Sequence, residues 1–238
     1  MKEPQPFYLL AGGRGRTILT TMSYVRKIIN DIGKKKPVIA FVGAASLKDN
    51  WLIYVIISAF IKAGCKCRIQ RVVIAPRQAN LQKARETLNK ADAVLISGGD
   101  VEAGMQVLRE KKMVEFFQDL AKQGKPFIGI SAGTIMMSRE WVRWRDPKDD
   151  ATVELFPCLG LFPIICDTHC EIDDWAELKT ALQLEKTGVT GYGITSGACL
   201  KAYPDGRMEA EAGSVERYIR RDGIIERQPD LLPVEHTG

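Results

Sequence analysis

Pro126 to Met137 reads PFIGISAGTIMM, and this stretch decides the fold. Phe127-Ile128-Gly129-Ile130 has the length and apolar character of a buried strand, and Ala132 to Ser138 continues as a helix. Between them Gly129-Ile130-Ser131-Ala132-Gly133 has the form G-x-S-x-G, with small residues flanking a serine at the apex of a sharp strand-to-helix turn. This is the layout of a nucleophile elbow, which holds a hydroxyl out over the sheet beside a helix N-terminus. Backbone N–H groups and the helix dipole can there stabilise a developing oxyanion. The same residues also suit a tight turn whose serine caps the helix. The two readings differ in what the Ser131 hydroxyl bonds. A turn that reverses within one residue also predicts strained backbone angles at Ser131.

Outward from this stretch, apolar runs alternate with amphipathic segments. Phe7 to Ala11, Pro37 to Val42, Cys67 to Ile74, Ala93 to Ile96 and Pro126 to Ile130 read as strands. Thr17 to Ile32, Asp49 to Ala63, Gln78 to Lys90 and Met113 to Gln123 carry apolar residues at three-and-four spacing and read as helices. Such alternation implies crossover connections and a mostly parallel sheet with helices on both faces, an α/β fold. Leu161 to Cys166 is expected as a further strand of that sheet, followed by a helix from about Asp174 to Lys186. From Gly191 onward short β-like runs are broken by Gly197, Asp205-Gly206 and Asp222-Gly223, which predicts antiparallel hairpins at one sheet edge. Residues 1–238 are expected to form one domain, with 228–238 a frayed tail.

Composition narrows the function classes. The 238 residues are 45% hydrophobic, enough for a sizeable core. No window resembles a membrane span, and the opening MKEPQPFYLL lacks a signal-peptide layout, so a cytoplasmic protein is expected. Six cysteines scattered through apparent core segments are expected to be reduced thiols. The net charge of +5 is mild and its only basic run is Lys34-Lys35-Lys36, which argues against a nucleic-acid partner.

A serine nucleophile needs a base, and the chain has two histidines. His236 lies near the C-terminus, which leaves His169. It follows the Leu161–Cys166 strand and so is expected at the same carboxyl edge as Ser131, where ligands of parallel sheets bind. Ser97-Gly98-Gly99-Asp100 ends another strand, and its bare N–H groups, with that of Ala132, can form an oxyanion hole. Asp100 equally suits the cap of the following helix. Ala11-Gly12-Gly13-Arg14-Gly15 looks like a phosphate cradle, but its spacing matches no nucleotide-binding motif.

Taken in order, the GGD loop, GISAG, LGLFPIICDTH and GYGITSGACL resemble the peptidase E and cyanophycinase family of serine peptidases, from Phe7 to about Met208. The resemblance implies a fold similar to class I glutamine amidotransferases. It implies Ser131 as nucleophile, His169 as base, Gly99 and Ala132 as oxyanion donors, and cleavage beside aspartyl residues. The chain departs from the family where Thr195-Ser196-Gly197 stands in place of a segment that usually carries the triad glutamate. Cys170-Glu171-Ile172-Asp173-Asp174 likewise replaces a stretch that is often aromatic and arginine-containing. Asp167, Glu171 or Asp173 can take over the orienting role, and the Ser196 hydroxyl can fix the tautomer weakly. If none does, Ser196→Glu is expected to raise turnover.

Arg139-Glu140-Trp141-Val142-Arg143-Trp144-Arg145 reads as a helix with tryptophans packed inward. Asp100 and Arg143 are candidates for substrate binding, Arg143 because guanidinium groups bind carboxylates bidentately. Cys166, His169 and Cys170 have ligand-like spacing, but no second pair closes a tetrahedral site, so neither a metal nor a cofactor is expected. The expected partner is a small peptide substrate, with no membrane; a homodimer stays open. The function expected is hydrolysis of peptide or isopeptide bonds through an acyl-enzyme. The alternative is a catalytically impaired family member that binds a small acidic ligand or a protein.

Overall fold

The computed structural model describes residues 5–13, 15–46 and 51–233. The first half follows strand-helix grammar: β1 (Phe7–Leu10), α1 (Arg16–Asp31), β2 (Val38–Val42), α2 (Trp51–Lys62), β3 (Arg68–Val72), α3 (Leu81–Lys90), β4 (Ala93–Ile96), α4 (Val101–Glu110), α5 (Val114–Lys122), β5 (Phe127–Ile130) and α6 (Ala132–Met137). There follow β6 (Glu140–Trp144), β7 (Val153–Pro157), β8 (Ile165–Thr168), α7 (Ala176–Leu184), β9 (Thr190–Ile194), β10 (Cys199–Ala202), β11 (Met208–Ala212), β12 (Val215–Arg221) and β13 (Ile224–Leu231).

Seven strands form the main sheet in the order β11-β10-β1-β5-β4-β2-β3. Its five central and distal members, β1, β5, β4, β2 and β3, are parallel, while β10 and β11 add an antiparallel edge. Successive strand residues point to opposite faces. Thus Leu9, Ala40, Val42, Val94, Ile96 and Phe127 meet α3 to α6, whereas Leu10, Ile39, Phe41, Leu95, Ile128 and Ile130 meet α1 and α2. Burial on both sides explains why these strands read as unbroken apolar runs.

Four expectations need correction. The strand before His169 is β8, which pairs in parallel with β9 in a second sheet of order β13-β12-β9-β8 and does not join the main one. Of the C-terminal hairpins, only β10-β11 edges the main sheet; β12-β13 belongs to the second. Residues 228–231 are not frayed, since Gln228 and Leu231 pair with Arg217 and Val215 of β12; residues 234–238 lie outside the described residues. The fourth correction concerns 139–145, whose centre is the strand β6, hydrogen-bonded to β7, and not a helix. Val142 is buried between half-buried neighbours, and it packs with Ile165, Trp175 and Leu178 into a separate core between α7 and the second sheet. Tryptophan and valine are strand formers, and the three-residue spacing of Trp141 and Trp144 mimicked a helix face.

Candidate active site

The elbow is built by close approach. Ser131 has φ 54° and ψ −126°, a conformation non-glycine residues rarely adopt. It is held from both sides: its N–H donates to Leu10 O at 2.9 Å, and its carbonyl accepts the Thr134 N–H at 2.7 Å. The buried Thr134 hydroxyl donates to the same Leu10 carbonyl at 2.9 Å. Both motif glycines are needed for space. A Cβ on Gly129 would lie 2.7 Å from Thr134 Cα, and one on Gly133 would lie 2.2 Å from Ile96 O.

The hydroxyl does not cap α6. Ser131 Oγ lies instead 2.7 Å from His169 Nε2. His169 sits just past β8 with φ 48°, and its N–H donates to Ile194 O at 3.0 Å, so the second sheet delivers the imidazole to the carboxyl end of β5. The two residues meet although their strands belong to different sheets.

Around this pair the loops close in. Asp100 caps α4 through Ala103 N at 2.7 Å, and the Asp100 N–H donates to Ala45 O, which fixes the Gly98-Gly99 loop. Ala132 is the first residue of α6, so its N–H has no intrahelical acceptor. Gly98 of this loop lies against the hydroxyl: a Cβ there would lie 3.5 Å from Ser131 Oγ. The first glycine loop is also a wall of this site, since a Cβ on Gly12 would lie 3.5 Å from Ser131 Cβ. Arg14, in that loop, and His236 lie outside the described residues.

The candidate orienting residues separate. Glu171 Oε1 accepts the Ser196 N–H at 3.1 Å. Burial works against its charge, but the Ser196 hydroxyl and N–H, with the nearby imidazole, hold the Glu171 carboxyl below the ordinary carboxylate range. Asp167 is buried, accepts the Thr168 N–H at 2.7 Å through Oδ1, and leaves Oδ2 without a partner. Burial pushes its carboxyl up to about 7, and Glu177 and Asp173 push the same way. Among the described residues no carboxylate hydrogen-bonds the imidazole.

Arg143 is taken up elsewhere. It pairs with Glu102 of α4 at 2.7 Å and, across the β6-β7 hairpin, with Glu154 at 2.7 Å. Arg145 and Arg143 together draw Glu154 down to about 2. Among the described residues no group of histidine, cysteine and carboxylate side chains is arranged to hold a metal, and all six cysteines are free thiols. No described helix is long and apolar enough to cross a membrane.

Two cavities flank Ser131. The larger, about 740 Å³, runs from Ser131, His169, Glu171 and Ser196 to α1 and α2. The smaller, about 210 Å³, is bordered by Asp100, Trp141, Asp167 and Glu177 on the far side.

Known proteins resemble this chain in sequence and in fold. The model of peptidase family S51 matches residues 8–206. The chain belongs to peptidase family S51. Two solved structures share the S51 chain's fold at low identity. A peptidase from an acI-B1 Actinobacterium superposes with a TM-score of 0.68 at 16% identity, covering 97% of this chain and 95% of the other. A protein assigned to peptidase E from Listeria monocytogenes EGD-e gives 0.64 at 14% identity, covering 88% and 98%. Among curated proteins, the pyridoxal 5'-phosphate synthase subunit PdxT of Pasteurella multocida (strain Pm70) is 28% identical over 112 residues. That match spans 47% of the S51 chain and about half, 53%, of the relative.

Proposed function

We propose that this S51 member is a serine hydrolase that cleaves peptide or isopeptide bonds through an acyl-enzyme on Ser131. The observation that carries the reading is the 2.7 Å contact between Ser131 Oγ and His169 Nε2 at a strained strand-to-helix turn. With its proton on Nδ1, the imidazole accepts the hydroxyl proton at Nε2 as Oγ attacks the substrate carbonyl carbon. The carbonyl oxygen becomes an oxyanion within reach of the Gly99 and Ala132 N–H groups. Collapse breaks the C–N bond, and the leaving amine takes the proton from Nε2. Water then attacks the acyl carbon, gives its proton to His169, and Oγ recovers it as the acid departs. Preference for aspartyl residues is not part of this reading, because Arg143 is engaged by two glutamates.

One observation favours a second reading, a slow or inactive member that binds ligands. His169 has no hydrogen-bonded carboxylate among the described residues, and the loss of such a partner costs about 10⁴ in kcat in serine proteases. Labelling with a fluorophosphonate probe separates the two. Stoichiometric modification at Ser131, absent in Ser131→Ala and slowed in His169→Gln, supports the hydrolase; no labelling of a folded protein supports the binding role.

A further inference from the structure

The wall of the larger cavity that faces Ser131 is apolar. α2 presents Ile53, Ile56, Ile57 and Phe60 to it, spaced at i, i+3, i+4 and i+7 along one helix face, and α1 adds Ile18 and Met22. These are not simply core residues. Ile18, Ile56 and Phe60 are 40%, 44% and 38% exposed, although α2 buries Ser58 and Ile61 elsewhere. At the catalytic end Ile172, between Glu171 and Asp173, also borders the cavity and is 98% exposed. Water around so many hydrocarbon side chains is unfavourable, and a ligand that displaces it binds for that reason.

Charge at the cavity points the same way. Among the described residues its lining holds no lysine or arginine, and its one carboxylate, Glu171, is kept ionised beside the imidazole. Among the described lining residues a substrate carboxylate placed there would lose water, meet no lysine or arginine and face an anion. A hydrocarbon group would lose nothing and cover the exposed isoleucines.

We infer that the substrate presents a large apolar group beside the scissile carbonyl, seated against α1 and α2. This rests on Ser131 being the nucleophile and replaces the aspartyl preference implied by family resemblance. The shared chemistry is hydrocarbon, from an aliphatic or aromatic peptide side chain or from an acyl chain.

The test measures kcat/KM of the full chain on aspartyl, leucyl and phenylalanyl p-nitroanilides and on p-nitrophenyl esters from acetate to octanoate. Leucyl and phenylalanyl substrates, or the longer esters, are expected to exceed the aspartyl anilide and acetate by at least about 10-fold, the scale of discrimination by hydrophobic pockets. The anilide and ester arms distinguish side chain from acyl chain. Ile56→Lys and Ile18→Lys, on different helices and partly exposed, should each reduce that ratio about 10-fold, with folding checked by thermal melting. Preference for aspartyl substrate in a wild-type enzyme whose Ser131 is labelled overturns the inference alone, as does a ratio unmoved by both lysines. Absence of Ser131 labelling in folded wild type overturns the inference together with the reading it rests on.

Discussion

Glu171 accepts the backbone N–H of Ser196 at 3.1 Å, so the position where related peptidases usually carry a triad glutamate here holds a different carboxylate in place. The two residues come from separate loops, Glu171 from the turn after β8 and Ser196 from the turn after β9. The parallel pairing of β8 with β9, Thr168 opposite Ile194, brings those turns together. Glu171 makes no hydrogen bond to the imidazole, yet the imidazole is among the groups that keep its carboxyl ionised. In the proposed mechanism its contribution is therefore electrostatic, favouring the imidazolium that would form as Ser131 attacks.

Glu171→Gln should reduce kcat by about 10- to 100-fold, less than the ~10⁴ expected for a carboxylate hydrogen-bonded to the imidazole. Steady-state kinetics with parallel thermal melting check this: a fall in kcat without a matching fall in Tm marks an effect on the reaction, and an unchanged kcat would show that Glu171 serves only the fold.

Gly98→Ala offers a test of the nucleophile's clearance. Gly98 lies outside the positive-φ region, so alanine is compatible with its backbone. The added Cβ would nevertheless lie 3.1 Å from Ser131 Cβ and 3.2 Å from Ile130 O. Such crowding should shift the hydroxyl by a few tenths of an ångström and lower kcat about 10- to 100-fold, since attack geometry is steeply distance-dependent. Stability should fall by only ~1 kcal/mol, or a few degrees in Tm. Parallel melting and steady-state assays separate the two effects.

The main sheet and the elbow were legible because their signals are local: apolar runs of strand length, and glycines that only close packing demands at 129 and 133. The partnership of Ser131 with His169 was also legible, from strand-end positions, although the sheet of His169 was not. Sheet membership depends on which strand pairs with β8, and nothing within Ile165–Thr168 distinguishes β9 from β5 as its neighbour. Residues 139–145 were misread for a related reason. Their strand character is settled by the cross-strand pairing of Arg143 with Glu154, eleven residues away. The exposed apolar stripe on α2 read as ordinary amphipathicity, since periodicity does not say whether a face meets the core or a cavity.

Asp167 should make stability depend on pH near neutrality. In the unfolded chain its carboxyl ionises near 3.8, whereas burial raises it to about 7 in the fold. Between those values the folded state holds the extra proton, so stability declines as pH rises and levels off above about 7. Asp167→Asn keeps an acceptor for the Thr168 N–H and removes the charge. It should gain about 1–4 kcal/mol at pH 8 relative to wild type and little at pH 4, at ~1.36 kcal/mol per pKa unit. Denaturant melts at both pH values check this; equal effects at the two would mean Asp167 does not titrate there.

Restoring a glutamate at position 196 should help only when Glu171 is removed. In the native background Ser196→Glu deletes the hydroxyl that holds Glu171 and sets a second carboxylate beside the first. Like charges at such range raise one carboxyl's pKa and disfavour two anions together. The single variant should therefore turn over substrate no faster than wild type. In a Glu171→Gln background the new carboxylate meets no rival and can approach the imidazole from the β9 side, so turnover should rise above that of Glu171→Gln alone. The double-mutant cycle on kcat/KM should then show a coupling of about 0.5–3 kcal/mol between 171 and 196, the range for residues in direct contact. If Ser196→Glu instead accelerates the native enzyme, Glu171 does not supply the missing charge, and the site is one whose imidazole lacks electrostatic support.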